Sequence, residues 1–156
     1  AAASSAHADT RTVARAGSWE AFDGTTTQGR PVCGMSTTVP DGRYVGVKLF
    51  GGNQTFTIQL GWKQWTINNG VKQDVYMTMD NNPRWRGTAT GMHFGDGDAG
   101  LEFAINAKEL TDFVRQFTDS NRLLLQFPGT GAQDWSISLA GTTAVSGAFA
   151  SCIRNL

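Results

Sequence analysis

Imidazole is nearly absent from these 156 residues: His7 and His93 are the two histidines, and His7 falls in a stretch of small residues at the start. The commonest general base is therefore scarce. His93, within Gly91-Met92-His93-Phe94-Gly95, reads as a strand-end or turn residue, because no partner group clusters with it in the sequence. Cysteine is equally sparse, and neither Cys33 nor Cys152 belongs to a CxxC pair, so the three or four His or Cys ligands of a zinc site are missing. GxSxG, HExxH, a P-loop and a GxGxxG after a strand are all lacking. Asp96-Gly97-Asp98 has the start of a calcium loop but neither its further ligands nor the distal glutamate, so it reads as a tight turn. No metal and no organic cofactor is expected.

An excess of one charge is also lacking. Thirteen basic and thirteen acidic residues give a formal net charge of zero, which removes the overall field that would draw a chain to nucleic acid. Eighteen consecutive apolar residues occur nowhere, so no membrane-spanning helix is expected. Four prolines stand against nineteen glycines, with 40% hydrophobic and 17% charged residues. That balance describes one globular, turn-rich domain.

The first eight residues, AAASSAHA, are small, and Ala6-His7-Ala8 before Asp9 has the small-x-small form read by signal peptidases. Residues 1–16 are read as a disordered tail or signal-peptide remnant and 17–156 as the domain. The two lone cysteines lie toward opposite ends of that domain, which suits a disulfide staple from Cys33 to Cys152, the alternative being two buried thiols. A staple of this kind points to the periplasm or to secretion.

What the chain has in quantity is alternation. Apolar residues recur with period two over Ser18–Phe22, Pro31–Thr38, Arg43–Phe50, Gln54–Leu60, Lys63–Ile67, Lys72–Met79, Arg84–Thr90, Gly100–Ile105, Arg122–Phe127 and Asp134–Leu139. Each is a candidate strand. Turns rich in Gly, Asn and Asp separate them, and Arg43–Leu60 reads as one antiparallel hairpin. Two helices interrupt the pattern. Asn106 and Glu109 resemble a capping box before the stripe Leu110, Phe113, Val114 and Phe117. Val145, Phe149, Cys152, Ile153 and Leu156 share a helical face after Gly141. Crossover helices are too few for a parallel sheet. The expected fold is mainly β, an antiparallel β-sandwich or flattened barrel with two short accessory helices, one of them C-terminal.

Binding residues are sought among the aromatics. Trp62 and Trp65 flank Lys63-Gln64, and Trp85 sits between Arg84 and Arg86. Alternation turns Trp65 and Trp85 inward and Lys63, Arg84 and Arg86 outward, while Trp62, just after Gly61 at a strand break, is the tryptophan expected to be partly exposed. Trp62, Lys63, Arg84 and Arg86 are thus the candidate binding set. Glu20 and Glu102 are expected on solvated faces beside inward Trp19 and Phe103.

The run WEAFDG…GRPVCGM at 19–35, the hairpin ending FTIQL, YMTMDNNPRWRGTA at 76–89 and WSISLAGTTAVSGAFASCI at 135–153 resemble the invasion-associated locus B-like family of small exported α-proteobacterial proteins. The resemblance spans most of Ser18–Leu156, and it implies a periplasmic or envelope-associated β-sandwich without assigned enzymatic activity. One cysteine pair stands where more would be expected. The family supplies no binding residues. The function expected is a non-catalytic envelope protein that binds a partner protein or a surface polymer. Its rivals are a small envelope-glycan hydrolase, using carboxylates among Glu20, Asp74, Asp80 and Glu102, and an inhibitor that inserts the Gly95–Gly100 loop into a lytic enzyme.

Overall fold

A computed structural model describes residues 9–156. Ten strands follow in order: β1 (Asp9–Ala16), β2 (Trp19–Thr25), β3 (Pro31–Thr38), β4 (Tyr44–Phe50), β5 (Thr55–Gly61), β6 (Lys72–Met79), β7 (Trp85–His93), β8 (Ala99–Asn106), β9 (Arg122–Gln126) and β10 (Trp135–Ser138). Helix α1 (Leu110–Asp119) lies between β8 and β9, and helix α2 (Thr142–Arg154) follows β10. The strands form one antiparallel sheet in the order β1-β2-β3-β4-β5-β8-β7-β6-β9-β10. Its edges, β1 and β10, are not hydrogen-bonded to each other, so the sheet is open and the barrel alternative falls away.

Alternation assigns the faces. In β5, Phe56, Ile58 and Leu60 enter the core, and their register partners on β8, Ile105, Phe103 and Leu101, enter with them. Val75, Met77 and Met79 on β6 do the same beside Leu125 and Leu123 on β9. The inner face is covered in part by the helices. On α1, Phe113 meets Phe56 and Trp85 edge-on, and Phe117 meets Trp19. On α2, Val145 and Phe149 are fully buried against the β1–β3 end of the sheet, and Cys152 is disulfide-bonded to Cys33 on β3.

The bent sheet brings its two ends together. Trp19, 1% exposed, donates its indole N–H to the carbonyl oxygen of Ser138 at 2.8 Å. Gly141, at φ 92°, lies so close to the backbone of Ala16 that a Cβ there would strike the Ala16 carbonyl.

Three sequence expectations need correction. Residues 9–16 are not a tail: they form β1, paired along β2 with a bulge between Thr12 and Ala14, and Arg11 bonds Asp23 at 2.8 Å. The expectation for residues 1–8, including Ala6-His7-Ala8, lies outside the described residues. Lys63–Ile67 is loop and not strand, with Trp65 and Ile67 packed against the core from that loop. Finally, Asn106 caps a short 3-10 turn at Ala107–Glu109 by accepting from the Lys108 N–H, and Glu109 makes no reciprocal bond.

Candidate binding site on the outer sheet face

The outer face of β2, β3, β4, β5 and β8 carries a cross-strand row set by register: Glu20, Ser36, Gly46, Gln59 and Glu102. Glycines in this face make room for rings. The Phe22 ring lies against Gly34, Tyr44 lies against Gly46, and Phe94 lies against both Gly61 and Gly100. A Cβ on Gly100 would stand 2.5 Å from the Phe94 ring and 2.7 Å from the Leu60 carbonyl oxygen, so the ring can approach this closely because both strands are bare there. Tyr44 and Phe94 meet edge-on at 5.8 Å.

Between those two rings is a hollow of about 460 Å³, lined also by Thr38, Lys48, Gln59, Lys63, Asp96 and Asp98. Asp96 and Asp98 belong to the tight turn the sequence suggests, closed by Asp98 N–H on the Asp96 carboxylate at 2.9 Å with Gly97 at φ 91°. At the floor, Gln59 is 7% exposed, and its amide nitrogen donates to Glu102 at 2.8 Å. That bond fixes the amide orientation, because a carboxylate accepts and does not donate. The Gln59 amide oxygen is left buried with no donor among the described residues. Such an oxygen ordinarily costs about 1 to 3 kcal/mol. Burial also acts on the neighbours. It pushes the Tyr44 phenol up to about 12, opposed by its bond with Ser36 and reinforced by the Glu20 charge. The Lys48 ammonium is held below its ordinary range by burial, and the Glu102 carboxylate works in the other direction.

Of the residues singled out in the sequence, Lys63 lines this hollow. Trp62 is half-buried beside it. It donates to the Asp41 carbonyl at 2.9 Å, packs edge-on against Trp135 and lies 6.0 Å from the Arg43 guanidinium. Trp65 stacks on Trp135 with centroids 4.8 Å apart. Arg84 and Arg86 are exposed and bracket the Tyr76 ring at 4.5 and 5.5 Å. Strand β8 separates β5 from β7, and Arg86 is six residues along β7 from Met92, the partner of Gly100. At about 3.3 Å per residue the two arginines stand roughly 20 Å from the Trp62 end. The structure therefore brings Trp62 and Lys63 together and keeps Arg84 and Arg86 apart from them.

The carboxylates weighed for hydrolysis are spread over the sheet and its turns. Glu20 and Glu102 share the outer row but lie four strand spacings apart, about 19 Å. Asp74 accepts from Thr88 at 3.0 Å. Asp80 is taken up by the Asn121 and Arg122 backbone N–H groups, at 2.9 and 3.0 Å. His93 ends β7 with Nδ1 2.6 Å from the Asn69 amide oxygen. Among the described residues no three His, Cys, Asp or Glu side chains gather to hold a metal, and no described helix is long and apolar enough to cross a membrane.

Gln59, Tyr44, Lys48 and Phe94 were not among the residues the sequence singled out. Comparison with protein-family models, with curated proteins and with solved structures returns no match.

Proposed function

We propose that this is a non-catalytic, exported envelope protein that binds a partner molecule, a protein or a surface polymer, in the hollow on its outer sheet face. The observation that carries this reading is the Gln59 amide oxygen, buried at the floor of a hollow without a donor. An orphaned acceptor is a persistent cost, and a bound partner that supplies a donor removes it. The Cys33–Cys152 disulfide supports an oxidising compartment, hence export to the periplasm or beyond, and the resemblance to exported locus B-like proteins agrees with it. The glycan-hydrolase alternative has less support, since Glu20 stands about 19 Å from Glu102 and Asp74 and Asp80 are each engaged in hydrogen bonds of their own. The inhibitor alternative is carried only by the Asp96–Asp98 turn, which here forms a wall of the hollow.

The test is co-sedimentation with isolated bacterial envelope material, with release of reducing ends measured in parallel. Binding without release is the expected result. Release of reducing ends that disappears in Glu102→Gln would replace this reading with the hydrolase.

A further inference from the structure

We infer that the occupant of the outer-face hollow is a neutral, hydroxyl-rich ligand, a saccharide. The inference rests on the binding reading above and gives it a chemical class.

Three features of the lining converge on that class. The first is charge. Lys48 and Lys63 are matched by Asp96 and Asp98, so the hollow favours neither a polyanion nor a polycation. A phosphate or sulfate group would meet two carboxylates, and an ammonium ligand would meet two lysines. The second is the pairing of unmet needs. The Gln59 amide oxygen lacks a donor, and the Lys48 ammonium is held where burial disfavours its charge. A hydroxyl both donates and accepts, so neighbouring hydroxyls of one sugar ring can serve both groups. Because the Gln59 oxygen is shielded from solvent, the ligand must displace a neighbouring side chain to reach it. Lys48, a diagonal neighbour of Gln59 across the β4–β5 pair with its ammonium 5.9 Å from the Phe22 ring, is an unbranched chain that a ligand can move. The third is the pair of rings. Phe94 lies against Gly61 and Gly100, with Tyr44 edge-on beside it, and aromatic rings at a polar hollow match the apolar C–H face of a sugar ring.

The groove of about 450 Å³ beside the disulfide, between β1, β3 and the end of α2, lacks this logic. Its charged side chains, Arg11 and Asp23, already satisfy each other.

The experiment is a titration of the whole protein followed by NMR, reading the Gln59 side-chain amide and the Phe94 ring. The probes are maltotriose, cellotriose and chitotriose, with a sulfated disaccharide and a basic peptide as charged counterparts. The expected result is saturable binding of at least one neutral trisaccharide, with a Kd of about 1 mM or tighter and shifts at Gln59 and Phe94. Gln59→Leu should weaken that binding at least about tenfold without lowering the Tm, because it removes the orphaned acceptor along with the contact. Phe94→Leu should weaken it while keeping the glycines covered. Three outcomes overturn the inference: no neutral trisaccharide shifts these signals, Gln59→Leu binds unchanged, or only a charged probe binds at Gln59 and Phe94. In the last case the hollow is still a binding site and the proposed function stands with another ligand class. If the protein also fails to sediment with envelope material, the function falls too.

Discussion

The indole N–H of Trp19 on β2 donates to the carbonyl oxygen of Ser138 at the end of β10, joining strands 119 residues apart in the chain. The bond ties the two ends of the sheet around the core where no ladder closes it. Trp19→Phe keeps most of the apolar volume but leaves the Ser138 oxygen without its donor, and should cost about 1 to 3 kcal/mol. Trp19→Ala should cost about 3 to 5 kcal/mol. Urea unfolding of the two variants checks both figures; equal losses would mean that volume alone matters there.

Helix α2 is held by burial and by a covalent link. Phe149→Ala should lower stability by about 3 to 5 kcal/mol, since that ring is fully buried. Cys152→Ser should lower it by about 2 to 5 kcal/mol. Thiol titration of the unfolded, non-reduced chain should find no reactive cysteine, and two reactive thiols would contradict the bond.

Trp62 and Trp85 should separate by degree. Trp85 packs on Phe113 and donates to Gln116 at 2.8 Å, so Trp85→Ala should cost about 3 to 5 kcal/mol. Trp62 has one face in contact with solvent yet holds the Asp41 carbonyl, Trp135 and Arg43, so Trp62→Ala should cost about 2 kcal/mol and is not silent. Thermal melts of both variants decide the ranking.

Alkaline pH should report on the outer face. The Tyr44 phenol ionises near 10 when unfolded and at about 12 when folded, so the unfolded chain gives up its proton first. Its contribution, about 3 kcal/mol, is fully present below pH 10 and is lost as pH rises through 12. Lys48 has the opposite sign: its folded value is depressed, so its contribution is present above 10.5 and is lost as pH falls through that lower value. Denaturation of wild type and Tyr44→Phe between pH 9 and pH 12 isolates the first effect. The difference between them should narrow across pH 10 to 12, and a constant difference would mean that the phenol is not shielded.

Period-two alternation carried most of this sheet, including the Arg43–Leu60 hairpin, because strands with one buried face write that burial into the sequence. It missed β1, where Asp9–Ala16 presents Thr, Arg and Ala to a shallow edge position and buries too little to show a pattern. It misread Lys63–Ile67 for the opposite reason: Trp65 is drawn in by stacking on Trp135, a partner seventy residues away that local spacing does not reveal. The disulfide was legible because the helical period after Gly141 turns Cys152 toward the sheet. The hollow was not. Gln59 and Glu102 become neighbours only through β5–β8 pairing, and the glycines Gly61 at the end of β5 and Gly100 at the start of β8 were the one local hint that a ring lies across the backbone.

An open sheet leaves β1 with a row of backbone donors and acceptors that a second molecule can extend into a filament. The bulge between Thr12 and Ala14 interrupts that row at Val13, and Arg11 and Arg15 place charge on either side of it. An irregularity of this kind works against edge-to-edge stacking, and deleting Val13, which restores a regular margin, should raise light scattering of the concentrated protein.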